Sequence, residues 1–412
     1  MKTVKALSVM MQESRVGELV AIPRQGLFFS YDPGWLAKGF NLAPFHLEFT
    51  VNPQRAADVA LFDGLHGAFS DSLPDGWGLL LMDRFFRSQL GVERHAISPL
   101  DRLAYMGNRS MGALEYVPMF ETVEANDDLD LAALYEASQS ILSGSADEVI
   151  TSLRLAGGSP GGARPKAVIG LSPDKLRAVS SFGDMPEGYE HWLIKFRCEE
   201  DHRDSGAIEQ AYALMANRAG VETAESTLFQ VQTSKGAEQF FATKRFDRVA
   251  SAKRHMLSAA AILYTDFRTP SLDYSDLLRA TWAMTRDALE VEKMARLMIF
   301  NALAHNRDDH AKNFSFFGGV DGWKMAPAYD LTFSSTSGRG NEHTTAFAGR
   351  GQPTRKALIE VCQPFSFLEP ERYIEQTLEA FSGWTGCCAA LGVDKVQSQR
   401  LRTALESVWQ AL

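Results

Sequence analysis

The segment Asn306–Asn313 contains the residues with the clearest chemical meaning in this chain. Arg307 and Asp308 are followed, after four further residues, by Asn313, and Asp330 comes 17 residues later in the run APAYDL. A carboxylate such as that of Asp308 can accept the proton of an attacking hydroxyl, while an amide and a second carboxylate supply oxygen ligands for Mg²⁺. This spacing is typical of phosphoryl transfer. We therefore predict Asp308 as the base and Asn313 and Asp330 as metal ligands.

A second set of residues, suited to phosphate binding, precedes this loop. Gly157–Ala163 contains four glycines, whose backbone N–H groups can approach phosphates closely. Lys195 lies in the apolar strand His191–Phe196 and can neutralise phosphate charge, and Glu209 in the next helix can hold that lysine in place. Each feature alone fits a surface loop, a solvated lysine or an exposed carboxylate equally well. Their order along the chain favours phosphoryl transfer.

A metal-hydrolase cluster is the competing interpretation of the same loop. It would use His305, Asp308, Asp309 and His310. The two histidines are five residues apart, without the i, i+4 helical spacing of zinc hydrolases, and this interpretation leaves the glycine loop unexplained.

The elements that must position these residues change character along the chain. Short apolar strands fill the first fifty residues, and Gly91 ends a helix over GLLLMDRFFRSQLG. Ser98 caps the following helix, and Ser205 is expected to cap the helix GAIEQAYALMANRAG. Strand patterns at KAVIGLS, HWLIKFRC, STLFQVQT and QFFATKRF give way to helices after Asp247. We predict an α+β fold in which a strand-rich lobe precedes a helix-rich lobe.

Composition sets limits on the class of protein. The chain has 412 residues, of which 45% are hydrophobic and 23% are charged, with a net charge of −9. This composition excludes collagen-like, disordered and disulfide-scaffold classes, and the acidic balance argues against non-specific DNA binding by the chain itself. Its four cysteines have no zinc spacing, and neither a signal peptide nor a membrane span is expected. These features indicate a cytoplasmic protein with reduced thiols.

Five motifs of this sequence resemble those of the HipA family of serine/threonine kinase toxins: SLPDGWG, GGARPK, TKRFDR, DDHAKNFS and PAYDL. The resemblance covers nearly the whole chain. It implies an α+β, two-lobed, protein-kinase-like (HipA-like) fold, with a HipA-like N-terminal subdomain over 1–120. A strand-rich nucleotide-binding lobe over 121–248 and a helix-rich catalytic lobe over 249–412 would follow.

The resemblance also assigns roles by position. It makes Asp308, with Lys195 and Glu209, catalytic, and Asn313 and Asp330 ligands of Mg²⁺. Ser159 falls where family members autophosphorylate, which displaces the loop and silences the kinase. Asp309 stands where the family often has Gly, which would add a charge beside the base. The positions implied to contact ATP are Gly161, Gly162, Ala163, Lys166, Lys195, Lys244, Phe246, Asp247 and His310.

The function implied is that of an ATP- and Mg²⁺-dependent serine/threonine protein kinase, the toxin of a toxin–antitoxin pair. Its expected partners are a HipB-like helix-turn-helix antitoxin, DNA indirectly through that antitoxin, and a cytosolic protein substrate such as an aminoacyl-tRNA synthetase. Two alternatives remain open: a catalytically weak scaffold that acts as a co-repressor with the antitoxin, and a small-molecule kinase.

Overall fold

The chain folds into two compact units, which the computed structural model describes over residues 3–57, 61–120, 128–144, 151–156, 161–182, 185–250, 252–334 and 342–412. Unit 1 comprises Met1–Asp201, Phe229–Leu257 and Gly318–Asp321, and unit 2 comprises His202–Leu228, Ser258–Phe317 and Gly322–Leu412. The segment 202–228, which the sequence placed in the nucleotide-binding lobe, therefore belongs to the second unit. The three-part division remains a prediction.

The first sheet of unit 1 is antiparallel, in the order β4-β3-β2-β1-β5. Its strands are β1 (Ala6–Met11), β2 (Ser14–Ile22), β3 (Gly26–Tyr31), β4 (Gln54–Arg55) and β5 (Leu114–Val117). The helices of this region are α1 (Pro33–Lys38), α2 (Gly67–Ser70), α3 (Gly76–Leu90) and α4 (Pro99–Met106). Gly91 ends α3 in the left-handed conformation, with φ of 63°, and Ser98 with Asp101 forms a capping box on α4. Both helix boundaries predicted from the sequence are confirmed.

The second sheet has the order β7-β6-β8-β10-β9. Its strands are β6 (Lys166–Leu171), β7 (Ala178–Ser180), β8 (Glu190–Lys195), β9 (Ser226–Thr233) and β10 (Gly236–Lys244), and the helices α5 (Leu131–Leu142) and α6 (Thr151–Ala156) precede it. Alternation on β8 buries Trp192 and Ile194 in one apolar core with Leu134 of α5, and leaves Lys195 half-buried. The predicted two-residue period therefore places Lys195 on the opposite face from that core.

Unit 2 is mainly helical. The helix α10 carries the largest buried face, and α9 and α12 pack against it. Its helices are α7 (Ser205–Arg218), α8 (Ala259–Leu263), α9 (Tyr274–Thr285), α10 (Ala288–Leu303), α11 (Arg355–Cys362), α12 (Pro370–Ser382), α13 (Trp384–Ala390) and α14 (Lys395–Ala411).

The N-cap of α7 is Asp204, so the expectation of a Ser205 cap was wrong by one position. Asp204 makes no side-chain capping bond, because its carboxylate accepts a hydrogen bond from the backbone N–H of Asp394 at 2.8 Å. A hydrogen bond between residues 190 positions apart therefore engages the side chain that would otherwise cap the helix.

Short strands complete the described chain: β11 (Arg248–Val249), β12 (Ala252–Lys253), β13 (His255–Ser258), β14 (Leu272–Asp273), β15 (Ser315–Gly319), β16 (Gly322–Met325) and β17 (Thr345–Ala346). One-turn 3₁₀ helices occur at Arg94–Ala96 and Ala311–Asn313. Over the ranges that the structure describes, every helix is too short or too polar to cross a bilayer.

Candidate active site

The glycine loop of unit 1 is held against the start of α3. The backbone N–H of Gly162 donates to the Asp75 carboxylate, and its carbonyl accepts from the backbone N–H of Trp77 at 3.0 Å. A side chain on Gly76, where φ is +45°, would bring Cβ within 2.5 Å of that carbonyl oxygen. The SLPDGWG motif therefore forms the surface on which the loop rests. Gly157–Pro160, including Ser159, lies outside the described residues, so its autophosphorylation remains a prediction.

Two lysines lie directly opposite one another beside this loop. Lys166 on β6 pairs in register with Lys195 on β8. The Lys166 ammonium also donates to the Gly161 carbonyl, and the Lys195 ammonium lies 5.8 Å from the centroid of the Phe241 ring. Like charges on directly opposed strand positions repel each other, and a bound phosphate would relieve that repulsion. The cluster of two lysines and glycine-loop backbone is thus chemically suited to a polyphosphate.

The predicted hinge positions follow β10. Lys244 ends the strand, and its ammonium forms an ion pair with Glu190, while Phe246 is half-buried. The backbone N–H of the intervening residue, Arg245, donates to the carbonyl of His191 at 2.8 Å. The assignment of Lys244 and Phe246 to adenine rests on main-chain groups and stays a prediction.

Asp247 has a different environment from the one expected of a residue near a ribose. Its side chain is fully buried, and its carboxylate accepts from Arg245, from Arg248 and, at 2.8 Å, from the backbone N–H of Gly112. Burial alone would raise the pKa of Asp247, but the two guanidinium groups outweigh it and hold that pKa well below the ordinary value. Protein donors surround this carboxylate, and it stabilises the chain after β10. Its assignment near the ribose stays a prediction.

In unit 2 a hydrogen bond links Asp308, the predicted base, with Asn313, a predicted metal ligand. The loop after α10 presents the Asp308 side chain with 60% of its surface exposed, and His310 Nε2 lies 4.0 Å from Asp308 Oδ1. Asn313, in the 3₁₀ turn, donates through Nδ2 to the main-chain carbonyl of Asp308 at 2.8 Å. Because the amide nitrogen is engaged in this way, the amide oxygen of Asn313 remains as a ligand atom for a cation.

Asp330 is brought to the same loop by its neighbour Tyr329. The Tyr329 hydroxyl is 2.6 Å from Ser315 Oγ and donates to the Lys312 carbonyl at 2.5 Å, so it is anchored on both sides of Asn313. Asp330 itself has φ of +57°, a left-handed conformation that is unusual for a residue with a side chain. Such backbone strain is common where a side chain must be aimed at a ligand.

The donor set of this loop fits Mg²⁺. The cation prefers oxygen ligands and usually retains waters or phosphate oxygens alongside one or two protein carboxylates. Asp330 and Asn313 supply two oxygen donors of this kind. Among the residues that the structure describes, no three or more His, Cys, Asp or Glu side chains cluster as they would to enclose a metal.

Asp309 is a residue whose position sequence reasoning did not foresee. It was expected to add a charge beside the base, but its side chain is fully buried. Its carboxylate accepts from the Tyr274 hydroxyl at 2.8 Å, from His343 Nδ1 at 2.9 Å, and from the backbone N–H groups of Thr344 and Thr345 at 2.9 and 3.1 Å. The two adjacent aspartates therefore face opposite ways, and Asp309 anchors the loop that presents Asp308. The feature of the sequence that could have revealed this anchoring role is the presence of Asp at a position where the family often has Gly.

Glu209 lies on α7 and is buried, with 7% of its surface exposed. It belongs to unit 2, whereas Lys195 belongs to unit 1. Their pairing stays a prediction.

Comparison with known proteins places this chain in a family. The HipA N-terminal domain model matches residues 7–117, and the HipA-like C-terminal domain model matches residues 158–385. The chain is similar to HipA in the solved complex of the Shewanella oneidensis MR-1 toxin–antitoxin system HipA, HipB and its operator DNA, with a TM-score of 0.72 and 17% identity, over 98% of this chain and 96% of that chain. The expected α+β, HipA-like fold with a strand-rich N-terminal part is thereby confirmed.

A second solved structure, the proinflammatory kinase CtkA of Helicobacter pylori, matches with a TM-score of 0.31 and 11% identity, over 52% of this chain and 92% of that chain. That likeness is too weak to bear on the fold or the chemistry. The two family matches together span most of the sequence, and the chain belongs to the HipA family.

Proposed function

We propose that this protein is an ATP- and Mg²⁺-dependent serine/threonine protein kinase and the toxin of a toxin–antitoxin pair. The observation that supports the proposal is a set of hydrogen bonds in unit 2 around the predicted base and the predicted metal ligands. Asn313 is hydrogen-bonded to the backbone of Asp308, and Tyr329 ties the Asp330 segment to residues on either side of Asn313. These are the groups that phosphoryl transfer requires.

In this proposal the two units have separate tasks. Lys166, Lys195 and the backbone of the glycine loop bind the phosphates of ATP. When bound, Mg²⁺ neutralises the phosphate oxygens, and Asn313 and Asp330 are the residues that hold it.

The transfer itself forms one bond and breaks one. The oxygen of a serine or threonine hydroxyl bonds to the γ-phosphorus of ATP, the bond from that phosphorus to the β,γ-bridging oxygen breaks, and ADP leaves. Asp308 orients the hydroxyl and accepts its proton. The exposure of Asp308 suits a macromolecular acceptor, which must reach the base from solvent.

The proposed partners follow from the family and from charge. The Shewanella oneidensis HipA was solved with HipB and operator DNA, and we propose a HipB-like antitoxin for this chain. The net charge of −9 disfavours direct contact with the DNA backbone, so DNA would be met through the antitoxin. We further propose a cytoplasmic location, an aminoacyl-tRNA synthetase or other cytosolic protein as target, and control by phosphorylation of Ser159.

The decisive test is transfer of ³²P from ATP by the wild-type chain and by Asp308→Ala. The control Asp276→Ala removes an exposed carboxylate of the same unit that pairs with Arg279. We expect loss of transfer in Asp308→Ala alone. Mg²⁺-dependent ATP binding by thermal shift, without any transfer by the wild type, would favour the scaffold alternative instead.

Two further measurements address the finer parts of the proposal. Phosphoproteomics after expression of the wild type and of Asp308→Ala would identify the target, and a small-molecule kinase would leave no protein phosphorylated in either. Intact-mass analysis after incubation with ATP should show one phosphate, located on Ser159. A phosphate located elsewhere would contradict the proposed control.

A further inference from the structure

A pocket in unit 2 lies directly behind the loop that carries Asp308. Its volume is about 300 Å³, at the lower end of the range for small-molecule sites. His305 and Arg307 form one wall, His343 a second, and residues of α14, among them Ala404 and Ser407, a third. None of these residues belongs to the metal site described above.

The lining of the pocket is basic. Three of its ten lining residues are Arg or His and none is Asp or Glu. Burial lowers the pKa of His305, and the positive charge of Arg307 lowers it further, with a smaller effect from His343. The lowered pKa favours the neutral form of His305, so the guanidinium of Arg307 supplies the positive charge with which an oxyanion in this pocket could pair.

Both histidine rings are held in fixed orientations. His305 Nδ1 donates to the Ser334 carbonyl at 3.0 Å, and the ring stacks on Phe333 with centroids 4.7 Å apart. His343 Nδ1 is bonded to the Asp309 carboxylate. Because each Nδ1 carries the proton of these bonds, Nε2 of the neutral ring presents a lone pair that can accept a hydrogen bond from a ligand hydroxyl. Such positioning, made before any ligand arrives, is what a specific ligand site requires.

We propose that this pocket binds a small phosphorylated metabolite, with Arg307 as the ligand of the phosphate and Nε2 of the two histidines as acceptors for hydroxyl groups of the same molecule. Gln352 and Ser407 also line the pocket and provide polar contacts for the rest of the molecule. Because Arg307 precedes Asp308 and His343 contacts Asp309, occupancy of the pocket would alter how firmly the base is held. The binding is independent of the proposed kinase activity, whereas its effect on the base rests on that function.

The test is isothermal titration with inorganic phosphate as the probe and with citrate in a parallel arm. Arg307→Gln should weaken phosphate binding about tenfold or more, because it removes a charged hydrogen-bond donor, and Ala404→Phe should abolish it by filling the pocket. The matched control is Arg350→Gln, which removes an exposed arginine that pairs with Glu360 and does not line the pocket. It should leave phosphate affinity unchanged.

A variant with both Lys166→Gln and Lys195→Gln separates this pocket from the proposed ATP site. Phosphate binding should persist in that variant. Loss of all phosphate binding there, or unchanged binding in Arg307→Gln and Ala404→Phe, would overturn the proposal. Tighter binding of citrate than of phosphate would overturn the choice of a phosphate ligand. None of these readings depends on transfer activity, so failure of the kinase assay leaves them interpretable.

Discussion

Asp308 and Asp309 are neighbours in the chain, but one side chain is exposed and the other is buried. Replacing the first with alanine should mainly affect activity, and replacing the second should mainly affect stability. Asp308→Ala removes a side chain that is 60% exposed, so we expect lost phosphoryl transfer with little change in stability. Asp309→Ala removes a fully buried carboxylate that accepts four hydrogen bonds. We expect a marked loss of stability from this second change.

The size of the stability loss in Asp309→Ala follows from the hydrogen-bond donors that would lose their acceptor. The backbone N–H groups of Thr344 and Thr345 are fixed and would lose their acceptor, at about 1–3 kcal/mol each. The Tyr274 hydroxyl can turn, so it adds less. A total of about 4 kcal/mol corresponds to a fall in Tm of about 10 °C, at roughly 2–4 °C per kcal/mol for a folding unit of 150–250 residues. Asp309→Asn should cost less than half as much, because its amide oxygen can still accept from both backbone N–H groups.

The assay is thermal unfolding of the wild type and the three variants, with ³²P transfer measured on the same preparations. Equal melting temperatures for Asp308→Ala and Asp309→Ala would refute the reasoning, since burial and hydrogen bonding would then have no energetic consequence. A larger loss in Asp309→Asn than in Asp309→Ala would also contradict it.

Three other predictions follow from the geometry. Asp330→Asn, which tolerates the left-handed backbone, should reduce Mg²⁺-dependent transfer about 100-fold, and an unchanged Mg²⁺ titration would count against the metal role. Gly76→Ala should raise the KM for ATP, because the new Cβ would push on Gly162. The control Gly64→Ala, also at positive φ but with open space around Cβ, should leave the KM unchanged. Equal changes in KM for the two variants would implicate backbone strain alone. Burial lowers the pKa of His255 to about 4 and, with nearby arginines, that of His191 to about 3. Below about pH 6.5 the unfolded chain therefore binds protons that the folded chain does not. As the pH is lowered, the free energy of unfolding measured in urea should fall by roughly 1.4 kcal/mol per pH unit for each of these two histidines. A free energy of unfolding that stays constant between pH 6.5 and 5 would exclude this.

Some features of this protein follow from short stretches of sequence. Helix capping depends on residues three or four apart in the chain. The capping box of Ser98 and Asp101 on α4 and the left-handed Gly91 after α3 were therefore predictable from the sequence. The alternation that buries Trp192 and Ile194 and leaves Lys195 half-buried is equally local. The spacing between Asp308 and Asn313 determined in advance which residues could form a base and a metal ligand.

Other features depend on contacts between distant parts of the chain. The register that sets Lys166 opposite Lys195 joins two strands with eighteen residues between them, and strand register is fixed by which faces are buried. The sequence suggested an ATP contact for Asp247 and a charge beside the base for Asp309, yet each carboxylate is buried and accepts from a distant backbone N–H, that of Gly112 and that of Thr345. Their partners are brought together only when helices and sheets pack, because burial turns each unmet donor or acceptor into a large energetic penalty. Sequence spacing selected the candidate reactive groups, and tertiary packing decided which of the two adjacent carboxylates is exposed, Asp308, and which is buried, Asp309.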